Sequence, residues 1–481
     1  MKQETLLQYI GGRSCAILGL GVSHLPLARQ LTELGISLTV HDKKSPEELG
    51  DAALSLAEAG VAFVTGDGYL NAIEGEVIFR SPGIRPDLGG IPAAIQAGAE
   101  LTSEIELFLR LTEAETFAVT GSDGKTTSTT LTGKFLEAEA KRRGFGNVLV
   151  GGNIGAPLLD RLEQTDRTSR AVMELSSFQL MTLSDAPHHV AITNISPNHL
   201  DWHHGMEEYI KAKTHIVGTR TQRIVTNADN PETVALAKGW IGQTEERPPL
   251  ILFSSTKHSY KEIYADGSAL GDCAVYEKDG FICFDNGSCA IPLLEISHIR
   301  VPGRHNVENF MTAIALTFGC VDPSVYTTVA DEFTGVEHRL ELVLTRNGVD
   351  YFNSSIDSSP TRTAAALSAL HGRGIVAICG GYDKKIPFAP LADALCRSVR
   401  AVVLTGATAE KIKDAILACP AYREGNPQIK ECPDFEEAVR CASSLAKIGE
   451  CVLLSPACAS FDAFKNFAER GERFRSIVNT L

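Results

Sequence analysis

The chain has 481 residues, 44% of them hydrophobic and 22% charged, and carries a net charge of −14. That length allows two to four domains, each burying its own core, and the acidic balance argues against a nucleic-acid partner, which wants a basic footprint. No apolar run approaches the ~18 residues that cross a bilayer, and the opening Met-Lys-Gln-Glu-Thr has no apolar signal core, so a cytoplasmic chain without a membrane span is expected. The twelve cysteines are scattered without a Cys-x-x-Cys pair. Cys15, Cys379 and Cys451 sit in apolar runs and read as reduced core residues rather than zinc ligands or disulfides.

Residues 1–110 read as a nucleotide-binding α/β unit. Cys15-Ala-Ile-Leu18 is a buried-strand run, Gly19-Leu-Gly21 follows, and a helical pattern over 23–34 stops at Gly35. The next strand is closed by Asp42-Lys43-Lys44, placing Asp42 about twenty residues after the glycines, where a ribose contact sits in a Rossmann-type unit. His24 replaces the third fingerprint glycine. A tight turn without a ligand therefore stays open, and another nucleotide is favoured over hydride chemistry. Val77-Ile-Phe-Arg80 is a later strand, with Ser81-Pro82-Gly83 in the turn at its carboxyl end, where open α/β sheets bind ligands.

Residues 111–335 begin with the most informative stretch, Thr116-Phe-Ala-Val-Thr-Gly121-Ser122-Asp123-Gly124-Lys125-Thr126-Thr127. An apolar strand enters a glycine-rich turn, and a helix is expected to follow to about residue 141. Backbone N–H groups in such a loop cradle phosphates. Lys125 would reach the β- and γ-phosphates, and the Thr126 hydroxyl would bind Mg²⁺. Val119 stands where the consensus has its first glycine, so a β-to-α turn needing glycine only for steric reasons is the plain alternative. Asn153 tips the turn Gly151-Gly-Asn-Ile-Gly155, and Glu174 ends a strand, where it is either a partner of the phosphate-loop magnesium or an exposed strand-end acid. Three histidines and an aspartate fall within residues 199–204. Without a nearby cysteine or an i, i+4 pair, a magnesium or phosphate role for one histidine is favoured over zinc, and His203 and His204 read as polar loop residues. A helix over 206–218 carries Tyr209-Ile-Lys-Ala-Lys213, whose lysines read by spacing as a solvated pair. A hairpin turns at Lys278-Asp-Gly280. Asn306 and Asn309 lie at i, i+3 on a helix running to 318, on one side of it.

Residues 336–481 read as a third α/β unit. His338-Arg339 opens it, a hairpin turns at Asn347-Gly348, and Ile375-Val-Ala-Ile-Cys379 is a strand followed by Gly380-Gly-Tyr-Asp-Lys384. Ser455-Pro-Ala-Cys-Ala-Ser460 follows another strand and is expected to enter an amphipathic helix over 461–467 with Phe461 and Phe464 facing the core.

Together these segments resemble the Mur ligase family over nearly the whole chain. The loop Thr120-Gly-Ser-Asp-Gly-Lys-Thr-Thr127 is similar to that family's Gly-Thr-x-Gly-Lys-Thr version, which accounts for the missing glycine. Four stretches are similar to the family's D-glutamate-adding branch: Glu174-Leu-Ser-Ser-Phe-Gln-Leu180, Asn194-Ile-Ser-Pro-Asn-His-Leu-Asp201, Gly380-Gly-Tyr-Asp-Lys384, and Leu454-Ser-Pro-Ala-Cys-Ala-Ser-Phe-Asp462 with Phe464-Lys-Asn-Phe467. The last is the most specific. One segment departs from the family pattern Asn-Asp-Ser-Lys-Ala-Thr-Asn, reading Asn353-Ser-Ser-Ile-Asp-Ser-Ser359. Ser354 and Ile356 replace the aspartate and lysine, while Ser358 keeps a hydroxyl.

The resemblance implies an α/β fold of three domains: a Rossmann-like 1–110 for the UDP substrate, a central phosphate-loop ATPase-like 111–335 for ATP, and a Rossmann-like 336–481 for the incoming amino acid. It implies ATP-dependent joining of D-glutamate to UDP-N-acetylmuramoyl-L-alanine through an acyl phosphate, by a chain taken as a monomer. By position, Gly21, Val22, Ser23, Asp42, Lys43, Ser81, Pro82 and Gly83 would face the uridine diphosphate, and Asn153 the muramoyl part. Gly121 to Thr127 would hold the ATP phosphates, and Asn306, Asn309, His338 and Arg339 would lie near the nucleotide. Thr126 and Glu174 would bind one Mg²⁺, and His199 would help to hold a second. Lys213 matches a carbamylated lysine, which reverses the solvated reading; CO₂ addition turns an ammonium that cannot bind Mg²⁺ into an oxygen ligand. Lys125, Glu174, His199 and Lys213 form the implied catalytic set. Ser358, Lys384, Ser460, Phe461 and Phe467 would grip the D-glutamate side. The competing readings are another amide ligase of the family (folate polyglutamate or diaminopimelate-adding), disfavoured by residues 455–460; a non-catalytic nucleotide-binding protein, disfavoured by the four retained catalytic positions; and a phosphate-loop kinase or motor, which leaves the two flanking α/β units unexplained.

Overall fold

The computed structural model describes residues 3–21, 23–144, 146–241, 247–265 and 271–481. It has the mixed, parallel-rich α/β character expected, with three sheets in succession. The first contains β1 (Cys15–Leu18), β2 (Leu38–His41), β3 (Ala62–Val64), β4 (Val77–Arg80) and β5 (Glu100–Thr102), in the order β3-β2-β1-β4-β5. All its pairings are parallel. The second contains β6 (Glu115–Thr120), β7 (Val148–Gly152), β8 (Arg170–Glu174), β9 (His189–Ile192), β10 (Arg223–Asn227), β11 (Leu250–Ser254), β12 (Cys273–Lys278), β13 (Phe281–Asp285) and β14 (Ala290–Glu295). Its order is β14-β13-β12-β11-β10-β9-β6-β8-β7, antiparallel only from β12 to β14. The third contains β15 (Glu341–Arg346), β16 (Val349–Asn353), β17 (Ile375–Cys379), β18 (Ala401–Leu404), β19 (Gln428–Glu431) and β20 (Cys451–Leu454), in the order β15-β16-β20-β17-β18-β19. The described chain divides into two compact units, Met1–His298 with Val307–Val329, and Ile299–Asn306 with Ala330–Leu481.

Parallel strands covered on both faces read as unbroken apolar runs. In β17, Ala377 and Cys379 join one core cluster with Val402 and Leu453, while Val376 and Ile378 join another with Val403 and Val452. Successive side chains thus feed opposite faces. Both expected hairpins are present. Asp279 and Gly280 (φ 52° and 81°) turn β12 into β13, and Asn347 and Gly348 (φ 52° and 74°) turn β15 into β16. Two consecutive left-handed residues suit a tight two-residue hairpin. All twelve cysteines are free.

The topology decides where loops can meet a ligand. Strand order reverses beside β1, which has β2 on one side and β4 on the other, so residues 19–21 and 81–83 rim the crevice at the carboxyl ends. β6 lies between β8 and β9, and the phosphate loop leaves its carboxyl end. β17 and β20 are neighbours, and the loops beyond them meet where Tyr382 N donates to Ala459 O at 2.9 Å.

Two helix boundaries differ from expectation. The helix expected over 206–218 is Met206–Thr214. The helix expected over 461–467 instead begins at Phe467 and runs to Asn479. Asn466 caps it, accepting from Glu469 N at 2.9 Å. Its core face is Phe474, Ile477 and Val478, whereas Phe461 is 65% exposed and Phe464 only partly covered. No helix among the described residues is long and apolar enough to cross a membrane.

Candidate functional site

β6 delivers the chain into residues 121–124, and the helix Lys125–Arg143 follows. Gly121 (φ 148°) and Gly124 (φ 78°) both need glycine. A Cβ at the first would lie 1.9 Å from Thr193 Oγ1, and at the second 2.5 Å from Asn309 Oδ1. The segment after β9 pins the loop. Ser122 N donates to Asn194 O (2.9 Å), Asp123 N to Asn194 Oδ1 (3.0 Å), and Thr193 Oγ1 to Asp123 O (2.5 Å). Lys125 folds back over the loop, donating to Gly121 O at 3.0 Å and Ser122 O at 2.9 Å. Thr127 is buried beneath it.

Glu174 is no exposed strand-end acid: it is 2% exposed. Its carboxylate accepts from Thr126 Oγ1 and from Asn153 Nδ2, each at 2.7 Å. A capping box, Ser176 with Gln179, starts the short helix immediately downstream and fixes the chain there. The sequence therefore brings Thr126, Asn153 and Glu174 together from three elements. A buried carboxylate beside a threonine hydroxyl is a hard oxygen set of the kind Mg²⁺ takes.

Lys213 corrects the spacing argument. It is 1% exposed, while Lys211 is exposed. Its Nζ donates to Gly121 O at 2.8 Å, lies 3.4 Å from Thr120 Oγ1 and sits 4.6 Å from the Tyr209 ring centroid. Burial, then the nearby Lys125 charge, holds its pKa well below that of an ordinary lysine. Tyr209 OH in turn meets Ser122 Oγ at 2.8 Å. His199 is exposed, with φ 54° and its ring 5.0 Å from Phe178. The polar-loop reading holds for exposed His204 and fails for His203, which is 2% exposed with Nε2 2.9 Å from Ser177 Oγ. The pattern missed this burial because Phe178, Trp202 and Tyr209 rings surround it.

Around the first sheet, Gly19 (φ 81°) faces Ser81, whose N donates to Leu18 O at 2.9 Å. Asp42 accepts from Leu20 N (2.8 Å) and Lys44 N (2.9 Å), which braces residues 19–21. His24 takes the fingerprint-glycine position by turning inward. It is 1% exposed with Nδ1 2.9 Å from Gly19 O, and burial drives its pKa down to about 4. Gly21 is exposed, Ser23 half-buried, and Lys43 pairs with Asp67 on the surface at 3.2 Å. Pro82 O accepts from Arg80 and Gly83 O from Trp202 Nε1 at 3.2 Å. Val22 lies outside the described residues.

Asn309 accepts from Ser128 Oγ at 3.3 Å, and Asn306 donates to Pro302 O at 2.6 Å. In the second unit, Lys384 Nζ reaches Ser358 Oγ and O at 3.1 and 3.2 Å. Ser460 is buried, accepting from Phe464 N at 2.8 Å, and Phe467 is 41% exposed. His338 (φ 60°) is buried against Asn353 Nδ2 at 3.0 Å, with Arg339 half-buried beside it. Ser354 now serves the backbone, accepting from Leu340 N at 3.1 Å, and Ile356 is half-buried. Asp357 accepts from Ser455 Oγ at 2.9 Å, and burial pushes its pKa up. Sequence reasoning missed Arg470. At 2% exposed, it donates to Ser355 O (2.8 Å), Ala459 O (3.1 Å) and Cys458 O (3.1 Å), and so ties 353–359 to 455–460.

One further group of metal-capable side chains occurs among the described residues, Glu115, His189 and Cys320, with ligand atoms within 4.8 Å of one another. Glu115 starts β6, at the end opposite the phosphate loop, and is already ion-paired with Arg170 at 2.7 Å.

Residues 119–317 match the Mur ligase middle domain, and residues 338–458 the Mur ligase glutamate ligase domain. The chain is 43% identical over 478 residues to the UDP-N-acetylmuramoylalanine–D-glutamate ligase of Acetivibrio thermocellus, covering 98% of this chain and 97% of that one. It is 41% identical over 485 residues to the ligase of the same name from Ruminiclostridium cellulolyticum, covering 100% and 99%. The solved UDP-N-acetylmuramate–alanine ligase of Thermotoga maritima shares the fold, with a TM-score of 0.53 at 19% identity over 97% of this chain and 99% of that one. Identity at this level over the full length, around a phosphate loop built as described, makes the chain a member of the Mur ligase family.

Proposed function

We propose that this protein is an ATP-dependent ligase that joins D-glutamate to UDP-N-acetylmuramoyl-L-alanine in peptidoglycan precursor synthesis. The observation that carries the reading is full-length similarity to ligases of that name, with Lys125, Thr126, Glu174 and Lys213 gathered round one glycine loop. Three domains follow the three sheets, with boundaries near 110 and 335. The first would take the uridine diphosphate at 19–23, Asp42, Lys43 and 81–83. The second would take ATP at 121–127, with Asn306 and Asn309; His338 and Arg339, at the start of the third, match family positions near the nucleotide. The third would take D-glutamate at Ser358, Lys384, Ser460, Phe461 and Phe467.

ATP would supply the phosphoryl group and leave as ADP, and two Mg²⁺ ions would neutralise the charge of its phosphates. Thr126 and Glu174 would hold one ion. His199 and a carbamylated Lys213 would hold the other, the neutral amine adding CO₂ with loss of a proton. Asn153 orients Glu174 and faces the muramoyl part. Lys125 and the loop N–H groups take the charge that develops on the transferred phosphoryl. The L-alanyl carboxylate becomes an acyl phosphate, the amine of D-glutamate attacks its carbonyl carbon, and phosphate leaves. No side-chain nucleophile is required. The test is phosphate release from ATP and UDP-N-acetylmuramoyl-L-alanine with D-glutamate, L-lysine or meso-diaminopimelate. Release that does not depend on D-glutamate overturns the reading.

A further inference from the structure

Arg85 is used by none of the roles above, yet its guanidinium is fully engaged beside them. It is 8% exposed and follows β4 by five residues. Its Nε and Nη2 donate to Asp87 at 2.9 and 2.8 Å, and its Nη1 and Nη2 to Glu208 at 2.9 and 3.0 Å. Nη1 also donates to Trp202 O at 2.6 Å, and the guanidinium lies 5.0 Å from the Trp202 ring centroid. All five N–H groups of the guanidinium are thereby engaged. Trp202 Nε1 returns a bond to Gly83 O at 3.2 Å. Glu208 also accepts from His204 N at 2.8 Å and lies 3.4 Å from His203 Nδ1, while His203 Nε2 meets Ser177 Oγ at 2.9 Å.

This polar cluster joins three pieces of chain. Residues 81–87 leave the first sheet and carry the proposed diphosphate loop. Residues 199–204 carry His199, three positions before Trp202. The helix Met206–Thr214 carries Lys213, five positions after Glu208. The two carboxylates on Arg85 come from two of these pieces, so a displacement of 81–83 is passed to the helix through a rigid fork rather than a flexible stem.

We propose that Arg85 is a positioning residue that couples the loop 81–83 to the segment 199–213, so that filling the uridine loop orders the second metal site. The inference rests on the functional reading above. Arg85→Lys keeps the charge but has three donors radiating from one nitrogen, which cannot span both carboxylates and a carbonyl. Trp202→Phe leaves an aromatic ring beside Arg85 but deletes the N–H bond to Gly83 O and part of the ring's packing.

The test is hydrogen–deuterium exchange over 199–208, with and without UDP-N-acetylmuramoyl-L-alanine, in the absence of ATP and Mg²⁺. In the wild-type protein the substrate slows exchange there and, raised from far below to above its KM in turnover assays, lowers the half-saturating Mg²⁺ concentration by roughly 5-fold or more. In Arg85→Lys, and in Trp202→Phe should the first variant fold poorly, the slowing is lost and the Mg²⁺ shift falls below about 2-fold. Failure of the wild-type protein to bind the substrate defeats the functional reading and this inference with it. Binding and turnover with slowed exchange and an intact Mg²⁺ shift in both variants defeat the coupling alone.

Discussion

Lys213→Met separates the cost of the buried lysine from its use. The ammonium is 1% exposed and has one good hydrogen bond, 2.8 Å to Gly121 O, plus a Tyr209 ring at 4.6 Å. A charged hydrogen bond contributes about 1.5–3 kcal/mol and a desolvated cation–π contact about 2 kcal/mol. Against these stand a desolvation penalty of several kcal/mol and repulsion from Lys125. The terms nearly cancel. Methionine fills the same volume without the charge, so stability is expected to change by less than about 2 kcal/mol, towards greater stability. That is a rise of at most a few degrees in thermal melting. Turnover is expected to fall by roughly 10³-fold, because a group that orders charge at the transferred phosphoryl is gone. Differential scanning fluorimetry and D-glutamate-dependent phosphate release read the two effects on one preparation. Native mass spectrometry of the wild-type protein should also show one added CO₂ that bicarbonate replenishes. A melting point lowered by many degrees would make Lys213 a structural cross-link, and undiminished turnover would remove it from the metal site. Either result refutes the reasoning.

Gly121→Ala places a Cβ 1.9 Å from Thr193 Oγ1, which forces the loop aside; a displacement near 1 Å costs roughly 10²-fold in turnover, measured by steady-state phosphate release. Lys384→Met removes the cation 3.1 Å from Ser358 Oγ and is expected to raise the D-glutamate KM at least about 10-fold while leaving nucleotide binding, measured calorimetrically, unchanged. Glu104 is 6% exposed, and burial pushes its carboxyl pKa from 4.5 up to about 7. Between those values the folded chain keeps a proton that the unfolded chain has lost, so stability falls as pH rises from 4.5 to 7, by roughly 3 kcal/mol, and levels off above. Buried His24, held at about 4, gives the opposite slope between 4 and 6.5, so the melting difference between wild type and Glu104→Gln, scanned from pH 4.5 to 8, isolates the carboxyl; a constant difference refutes it.

What could be read from the sequence was whatever repeats locally. Ile375–Cys379 is apolar at every position because both faces of its sheet are covered, and Asn347-Gly348 demands a turn whatever surrounds it. The phosphate loop was legible for the same reason, since its glycines answer to sterics within a few ångströms. Lys213 was not: it lies on the stripe set by Met206, Tyr209 and Ile210, but a lysine there reads as a solvated stem until the carbonyl of Gly121 is seen to take its Nζ. Arg85 bonds partners 117 and 123 residues away, a distance at which spacing carries no signal. The helix expected over 461–467 failed because two phenylalanines imitate an apolar face, while the cap that starts a helix, Asn466, lies beyond them. At 354 and 356 the family's charges are absent, and Arg470 with Asp357 supplies buried charge to the same loops from other positions.

The loop also holds a charge arrangement that suits its proposed work. Two ammonium groups, those of Lys125 and Lys213, donate to one carbonyl, Gly121 O, at 3.0 and 2.8 Å. Like charges so close are costly in a dry site, and the protein meets part of that cost by holding Lys213 well below the ordinary lysine pKa. Two events relieve the rest. A phosphate chain in the loop offers Lys125 oxygens outside it, and CO₂ addition to Lys213, with loss of two protons from its ammonium, replaces a repelled cation with an anion. Each makes the other more favourable, since a carbamate attracts Lys125 and bound metal, while Lys125 drawn towards phosphate clears the space beside Lys213. Nucleotide binding and carbamylation should therefore be positively linked, and the CO₂ adduct on the wild-type chain should be more highly occupied with Mg²⁺-ADP present than without it. Equal occupancy in the two states would mean that the lysines share Gly121 O without consequence.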